Sequence, residues 1–218
     1  MKMTKFFCDI SMSLDGFVAG PDITLEEPLG KNGEHLHDWV LRLASWRSQH
    51  GQEGGETGPD DDLVRATQAR PGAVVMGRKM FSGGSGPWES DPNADAWWGD
   101  NPPFHVPVFV LTHHEREPVV KEGGTTFTFV TDGIESAVAQ ALAAAGDKDV
   151  LLSGGASIVQ QSLRARLVDE LHIHVAPRLL GGGVSLFGDL GADAPQLTLK
   201  NVVESPFVTH LSYEVERT

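Results

Sequence analysis

LLSGGASIVQQSL, Leu151–Leu163, passes from an apolar run through two adjacent glycines into a pattern of helical spacing. Glycine pairs cost backbone order, so they stand where a chain turns sharply or where something must approach its main chain closely. KDVLLSGG reads as a strand that runs into the glycines, and ASIVQQSLRAR as the helix after them. Ser153 to Ser157 therefore open a helix directly after a strand, where free backbone N–H groups and the positive helix end can hold a phosphate. Gly154 and Gly155 would let a pyrophosphate come into contact with the peptide. A tight turn with no ligand accounts for the same residues, since this is neither a G-x-G-x-x-G nor a Walker loop.

The alternation of strand and helix extends outward from this point. KFFCDISM, AVVMG (ending at Gly77), VPVFVLT and TTFTFVT read as strands. IESAVAQALAAAG is an alanine-rich amphipathic helix, and EHLHDWVLRLASWR carries Leu36, Trp39, Val40, Leu43 and Trp46 at helical spacing. DDLVRATQARPG resumes a short helix with acid at its start. Strands joined by helical crossovers run parallel. VDELHIHVAP and HLSYEVER alternate like strands and are expected to add antiparallel edges. The expectation is a single α/β domain over residues 1–218, with a mixed, mainly parallel sheet flanked by helices and antiparallel strands at its C-terminal end. A glycine-rich acidic stretch at about 48–62 has no apolar periodicity and reads as a mobile surface insertion. GGSGPWESDPNADAWWGDNPP is a long loop, too aromatic for a linker.

Ligands on such sheets sit beyond the carboxyl ends of the strands. Three of those ends carry suitable groups. In MGRK, Arg78 and Lys79 follow Gly77, and a guanidinium there can fork onto phosphate oxygens or simply be solvated. LTHHER brings Thr112, His113, His114 and Arg116, and LSGGAS is the third.

Composition narrows the classes. With 17 basic against 30 acidic residues, a formal charge of −13, neither nucleic acid nor an anionic membrane is the expected partner. A small anion held by a few local cations remains compatible with that balance. The single cysteine, Cys8, excludes an intramolecular disulfide and a cysteine-cluster metal site. The N-terminal residues meet Asp9 before a signal-like apolar stretch develops, and no run approaches the ~18 apolar residues of a membrane span, so a cytoplasmic protein is expected. His172 and His174 share one strand face, but no third ligand has matching spacing; a polar face or a subunit contact is the reading, and no metal is expected. There is no G-x-S-x-G elbow for a nucleophile.

Taken together, SMSLDGFVAG, VVMGRKMF, VFVLT, LLSGGASIVQQSL and VDELHIHVAPRLLGGGVSLF resemble the dihydrofolate reductase-like superfamily. The resemblance is nearest to stand-alone relatives of the reductase domain of the bifunctional riboflavin-biosynthesis deaminase–reductase. It implies an NADPH-dependent reductase that moves hydride to a carbonyl or imine carbon of a small heterocyclic or ribose-bearing substrate. The model activity is that of 5-amino-6-(5-phosphoribosylamino)uracil reductase. It further implies that Gly154 and Gly155, joined by a cis peptide bond, lie against the cofactor pyrophosphate, with Ser153, Ala156, Ser157 and Ile158 around them. Gly77, Arg78 and Lys79 match a cation site near the adenosine phosphates, and Thr112 and His113 match the turn at the 2′-phosphate. Val18 and Ala19 match the loop whose backbone holds the nicotinamide amide. Asp38 resembles the helix aspartate that helps protonate the substrate in dihydrofolate reductases; an exposed helix-face carboxylate is the alternative. A homodimer is implied, with His172 or His174 near the contact. No Pro-Trp follows FVAG, and the zinc-binding deaminase half is absent. A true dihydrofolate reductase and a non-catalytic nucleotide-binding protein on the same fold stay open as alternatives.

Overall fold

Strands covered on both sides are apolar almost throughout, and the runs around Phe6, Val74, Val108 and Val150 meet that condition, each buried over most of its length. A computed structural model, describing residues 3–95, 97–188, 190–191 and 194–216, places them at the centre of a nine-stranded sheet. In chain order the strands are β1 (Phe6–Ser13), β2 (Phe17–Ala19), β3 (Pro71–Gly77), β4 (Pro107–Leu111), β5 (Val119–Val120) and β6 (Thr126–Val130). They continue as β7 (Asp149–Leu152), β8 (Glu170–Ala176), β9 (Val184–Ser185), β10 (Leu197–Glu204) and β11 (Thr209–Val215). The helices are α1 (Asp38–Leu41), α2 (Ala44–Gln49), α3 (Pro59–Gln68), α4 (Arg78–Ser82), α5 (Ile134–Ala144) and α6 (Ala156–Arg164).

The sheet order is β10-β11-β8-β1-β7-β3-β4-β6-β5, and β2 and β9 form a separate antiparallel pair. From β8 to β6 every pairing is parallel. Only β5, β11 and β10 run against their neighbours. VDELHIHVAP is thus an interior parallel strand rather than an antiparallel edge, because β11 returns beside it and covers its far side.

Alternation along the strands builds two cores. Phe6, Cys8, Ala73, Val75, Val150 and Leu152 pack against α5 and α6. On the opposite face, Val74, Met76, Val108, Val110 and Phe127 pack with Phe81 and, through partly buried rings, with Trp88, Trp98 and Phe104. The aromatic loop thereby forms part of the core cover.

Two expected features take a different form. The single helix over EHLHDWVLRLASWR is broken into a 3₁₀ turn at Gly33–His37, then α1 and α2, with Leu43 extended between the last two. The break is stabilised by backbone pairing: Ala44 donates to the Glu56 carbonyl at 2.8 Å, and Glu56 donates to that of Arg42 at 2.8 Å. The acidic stretch is accordingly tied down by backbone pairing at Glu56, although residues 48–57 are all exposed. Within it Asp61 is buried, accepting the Ser45 N–H at 2.7 Å and the Arg65 Nε–H at 2.8 Å.

Candidate functional site

The ends of β3, β4 and β7 meet along a cleft of about 1270 Å³, lined there by Gly77, Thr112, Ser153, Gly154, Gly155 and Ile158. Ser153 donates to the Val75 carbonyl at 2.9 Å and Gly77 to the Gly154 carbonyl at 3.0 Å, which ties the two strand ends together. Gly154 has φ +94°, a backbone region other residues avoid, and the Gly154–Gly155 bond is cis, as the resemblance implied. Gly155 is different. Its φ of −81° suits any residue, and a Cβ added there would meet nothing within 4 Å. Neither backbone nor packing requires glycine at this position, so the open space above it is available to a molecule outside the chain. The first turn of α6 has no side-chain cap, which leaves N–H groups of Ala156, Ser157 and Ile158 facing that space.

Val18 and Ala19 line the same cleft from β2, held by pairing with β9. The glycine run before β9 allows this approach: a Cβ on Gly183, at φ +119°, would stand 2.2 Å from the Ala19 carbonyl oxygen. Asp15 secures the arrangement by accepting the backbone N–H groups of Leu180 at 3.1 Å and Gly181 at 2.7 Å. The SLDG and RLLGGG segments are therefore two halves of one structural element.

The expected cations divide. Lys79 and His113 are exposed at the cleft, and Thr112 is buried, its hydroxyl accepting the His114 N–H at 3.1 Å. Arg78 is not a solvent-facing phosphate fork. Its guanidinium donates to Asp91 at 2.5 Å and to Ser82, and lies 3.7 Å over the Trp88 ring. Arg116 packs near the same indole, 4.9 Å from its centre. Burial by itself would raise the Asp91 carboxyl, but the bonds from Ser82 and Arg78 outweigh it and hold the group below the usual carboxylate range. Arg78 anchors the aromatic loop.

Asp38 is not on the cleft wall. Its carboxylate bonds to Arg178 at 2.9 Å and His35 at 3.2 Å, half exposed, because the 3₁₀ turn aims His37 and Trp39 inward instead. His37 lines the cleft, and its Nδ1 is buried without a hydrogen-bond partner. Burial pushes the His37 imidazole below its ordinary pKa. LHDW was a signal for this region, but helical spacing could not choose between adjacent residues.

Beside His37 the wall is formed by Asp9, Ser11, Trp39 and His174. His174 is not at a surface contact: it lies buried against Trp39, with its ring centre 4.8 Å from that of the indole. His172 faces Glu170 at 3.4 Å and Asp9 at 3.8 Å. The bond from His172, together with Arg70, takes Glu170 down to about 2. Burial opposes ionisation of Asp9, yet His174 and the neighbouring imidazoles hold it below the ordinary aspartate value. Cys8, packed in the core, has its thiol pushed far up by burial. Among the described residues no cluster suits a metal ion, and no helix is long and apolar enough to cross a membrane.

Sheet order, glycine turn and cleft define an α/β protein of the dihydrofolate reductase-like class. The chain belongs to the RibD C-terminal domain family, whose model matches residues 4–211. It is similar to the uncharacterized protein YyaP of Bacillus subtilis, 26% identical over 196 residues that span 87% of this chain and 84% of that one. The fold matches a putative riboflavin biosynthesis protein from Shewanella sp. PV-4, with TM-score 0.63, 24% identity, and coverage of 98% and 99% of the two chains. It also matches a diaminohydroxyphosphoribosylaminopyrimidine deaminase/5-amino-6-(5-phosphoribosylamino)uracil reductase from Thermotoga maritima, with TM-score 0.57 and 14% identity. That match covers 97% of this chain but 56% of the Thermotoga one.

Proposed function

We propose that this protein is an NADPH-dependent reductase that transfers hydride to a carbonyl or imine carbon of a small heterocyclic or ribose-bearing substrate. The observation that carries the reading is the open space over Gly155, at the meeting point of three strand ends and an uncapped helix start. These residues fit a dinucleotide. The N–H groups of Ala156–Ile158 would take the pyrophosphate, Lys79 and His113 the remaining phosphates, and the backbone at Val18 and Ala19 the nicotinamide amide. When bound, NADPH supplies the hydride; the protein supplies position and electrostatics. The substrate end is the wall of Asp9, Ser11, His37, Trp39 and His174, whose polar groups would orient a heteroatom against an otherwise apolar surface.

The test is direct. Purified protein should bind NADPH and oxidise it with 5-amino-6-(5-phosphoribosylamino)uracil, followed by loss of nicotinamide absorbance. Oxidation with dihydrofolate in preference would move the reading to folate reduction. Absence of NADPH binding would overturn it.

A further inference from the structure

Four side chains from distant parts of the chain form one hydrogen-bonded line at the substrate end of the cleft. Asp9 Oδ1 lies 3.0 Å from His174 Nε2, His174 Nδ1 lies 2.7 Å from His210 Nδ1, and His210 Nε2 lies 3.1 Å from Asp60 Oδ1. The sheet register assembles the line: Ser11 sits opposite His174, and His174 opposite His210, on adjacent strands. Asp60 comes from the first turn of α3. Trp39 packs against both imidazoles, at 4.8 Å and 5.0 Å, and its indole N–H is bound to Ser11 Oγ at 3.1 Å.

The geometry sets the proton count. To donate to ionised carboxylates, each imidazole must carry its hydrogen on Nε2. Two neutral imidazoles arranged this way would meet lone pair to lone pair at the 2.7 Å contact between His174 and His210. That contact requires a hydrogen. The line therefore holds three protons in its three bonds, one more than two carboxylates with two neutral imidazoles would carry. Moving the His174 Nε2 proton onto Asp9 leaves the same number of protons and makes Asp9 a neutral acid.

The ends of the line differ. Asp9 lines the cleft, and its Oδ2 is buried with no hydrogen-bond partner. The Asp60 side chain, 13% exposed, reaches the surface. The other titratable groups that face Asp9 are His172, 3.8 Å from Oδ2, and His37 on the same cleft wall; Cys8, the preceding residue in β1, points into the core on the other face of the sheet. Asp61, next to Asp60, is already bonded to Ser45 and Arg65.

We propose that Asp9, His174, His210 and Asp60 form a proton relay, which stores one proton beside the cleft and delivers it to the substrate heteroatom as hydride reaches the carbon. The inference rests on the reductase reading above. The carbon gains hydride, the π pair of its double bond moves to oxygen or nitrogen, and that atom takes the proton from Asp9. The vacancy passes through His174 to His210, and the Asp60 carboxylate takes a proton from solvent and hands it to His210 Nε2; NADPH is oxidised to NADP⁺ and the substrate is reduced by two electrons.

Two measurements decide it. Nitrogen-15 imidazole spectra of the free protein at neutral pH should show one doubly protonated ring in the pair, with a far-downfield Nδ1 hydrogen between them. Two singly protonated rings with no shared hydrogen would overturn the relay, whatever the protein does with NADPH. In turnover of 5-amino-6-(5-phosphoribosylamino)uracil, Asp60→Asn, remote from the cleft, should lower kcat about tenfold or more, shift its pH profile and enlarge the solvent isotope effect, within the range for proton transfer by a positioned group. NADPH affinity should stay within about twofold, since Asp60 is absent from the cofactor end. An unchanged pH profile and isotope effect in Asp60→Asn would also sink the relay. Failure of the wild type to bind NADPH would sink the reductase reading instead, and leaves the spectra untouched.

Discussion

Gly77 donates its backbone N–H to the carbonyl oxygen of Gly154 at 3.0 Å, so the ends of β3 and β7 are joined at the point where the cleft begins. Gly155, one residue further on, takes no part in that joint and has open space where a side chain would stand. Gly155→Ala should leave the melting temperature within about a degree of wild type, because backbone and packing both accept a methyl group. NADPH affinity should fall at least tenfold, about 1.4 kcal/mol. Titration calorimetry beside thermal melts reads both; normal affinity would remove the proposed pyrophosphate site.

Arg78 and Lys79 should separate structure from binding. Removing Arg78 leaves the Asp91 carboxylate, 3% exposed, without its cation. A loss of this kind costs about 3–5 kcal/mol, so Arg78→Ala should lower the denaturation midpoint strongly. Lys79→Ala should leave stability unchanged and weaken NADPH about tenfold, with a smaller effect on NADH. The opposite pattern would restore Arg78 as the phosphate contact.

Stability should fall on acidification. Burial lowers His37, so its imidazole takes up a proton more readily in the unfolded chain. Its contribution is complete above the unfolded value of about 6.5 and is lost as pH drops towards the folded value. Asp9, also depressed, adds a second loss at lower pH, below about 3.9. The melting temperature should be level between about pH 7 and 8 and decline below about 6.5, with a shallower decline in His37→Gln. A level curve down to about pH 5 would contradict it.

Asp61 should matter to the fold. Asp61→Ala leaves the Ser45 N–H and Arg65 without their acceptor, and an unsatisfied buried group costs about 1–3 kcal/mol. Urea denaturation should show that loss, and Asp62→Ala, at an exposed position, should show almost none.

The outer edge of β10 exposes Leu197, Leu199 and Val202 by 40%, 53% and 50%. We expect a homodimer that covers this edge, burying more than about 1,000 Å² in total. Light scattering at micromolar concentration should report it, and Leu199→Glu with Val202→Lys should give monomers. A monomeric wild type would refute the dimer.

The parallel centre of the sheet, α5, α6 and the glycine turn were all readable in the chain, because burial on both faces and helical periodicity leave local marks. β10 was passed over for the converse reason: its residues are almost all exposed, so its pattern carries no burial signal. The break at Leu43 leaves the apolar spacing intact, and only the pairing with Glu56 reveals it. Asp38 and His37 are neighbours, and a 3₁₀ turn rather than composition decides which one reaches the cleft.

What the sequence determined by itself was the strand–helix alternation of the parallel centre, the position of the bare backbone at Gly154–Gly155 and the family. The tertiary structure decided which polar groups act together. Arg78 meets Asp91 across the aromatic loop, and Asp9, His174, His210 and Asp60 become adjacent only through strand register and the packing of α3. Hydrogen bonds act over about 3 Å, whereas these partners lie up to 165 residues apart in the chain, and only the folded structure relates those two distances.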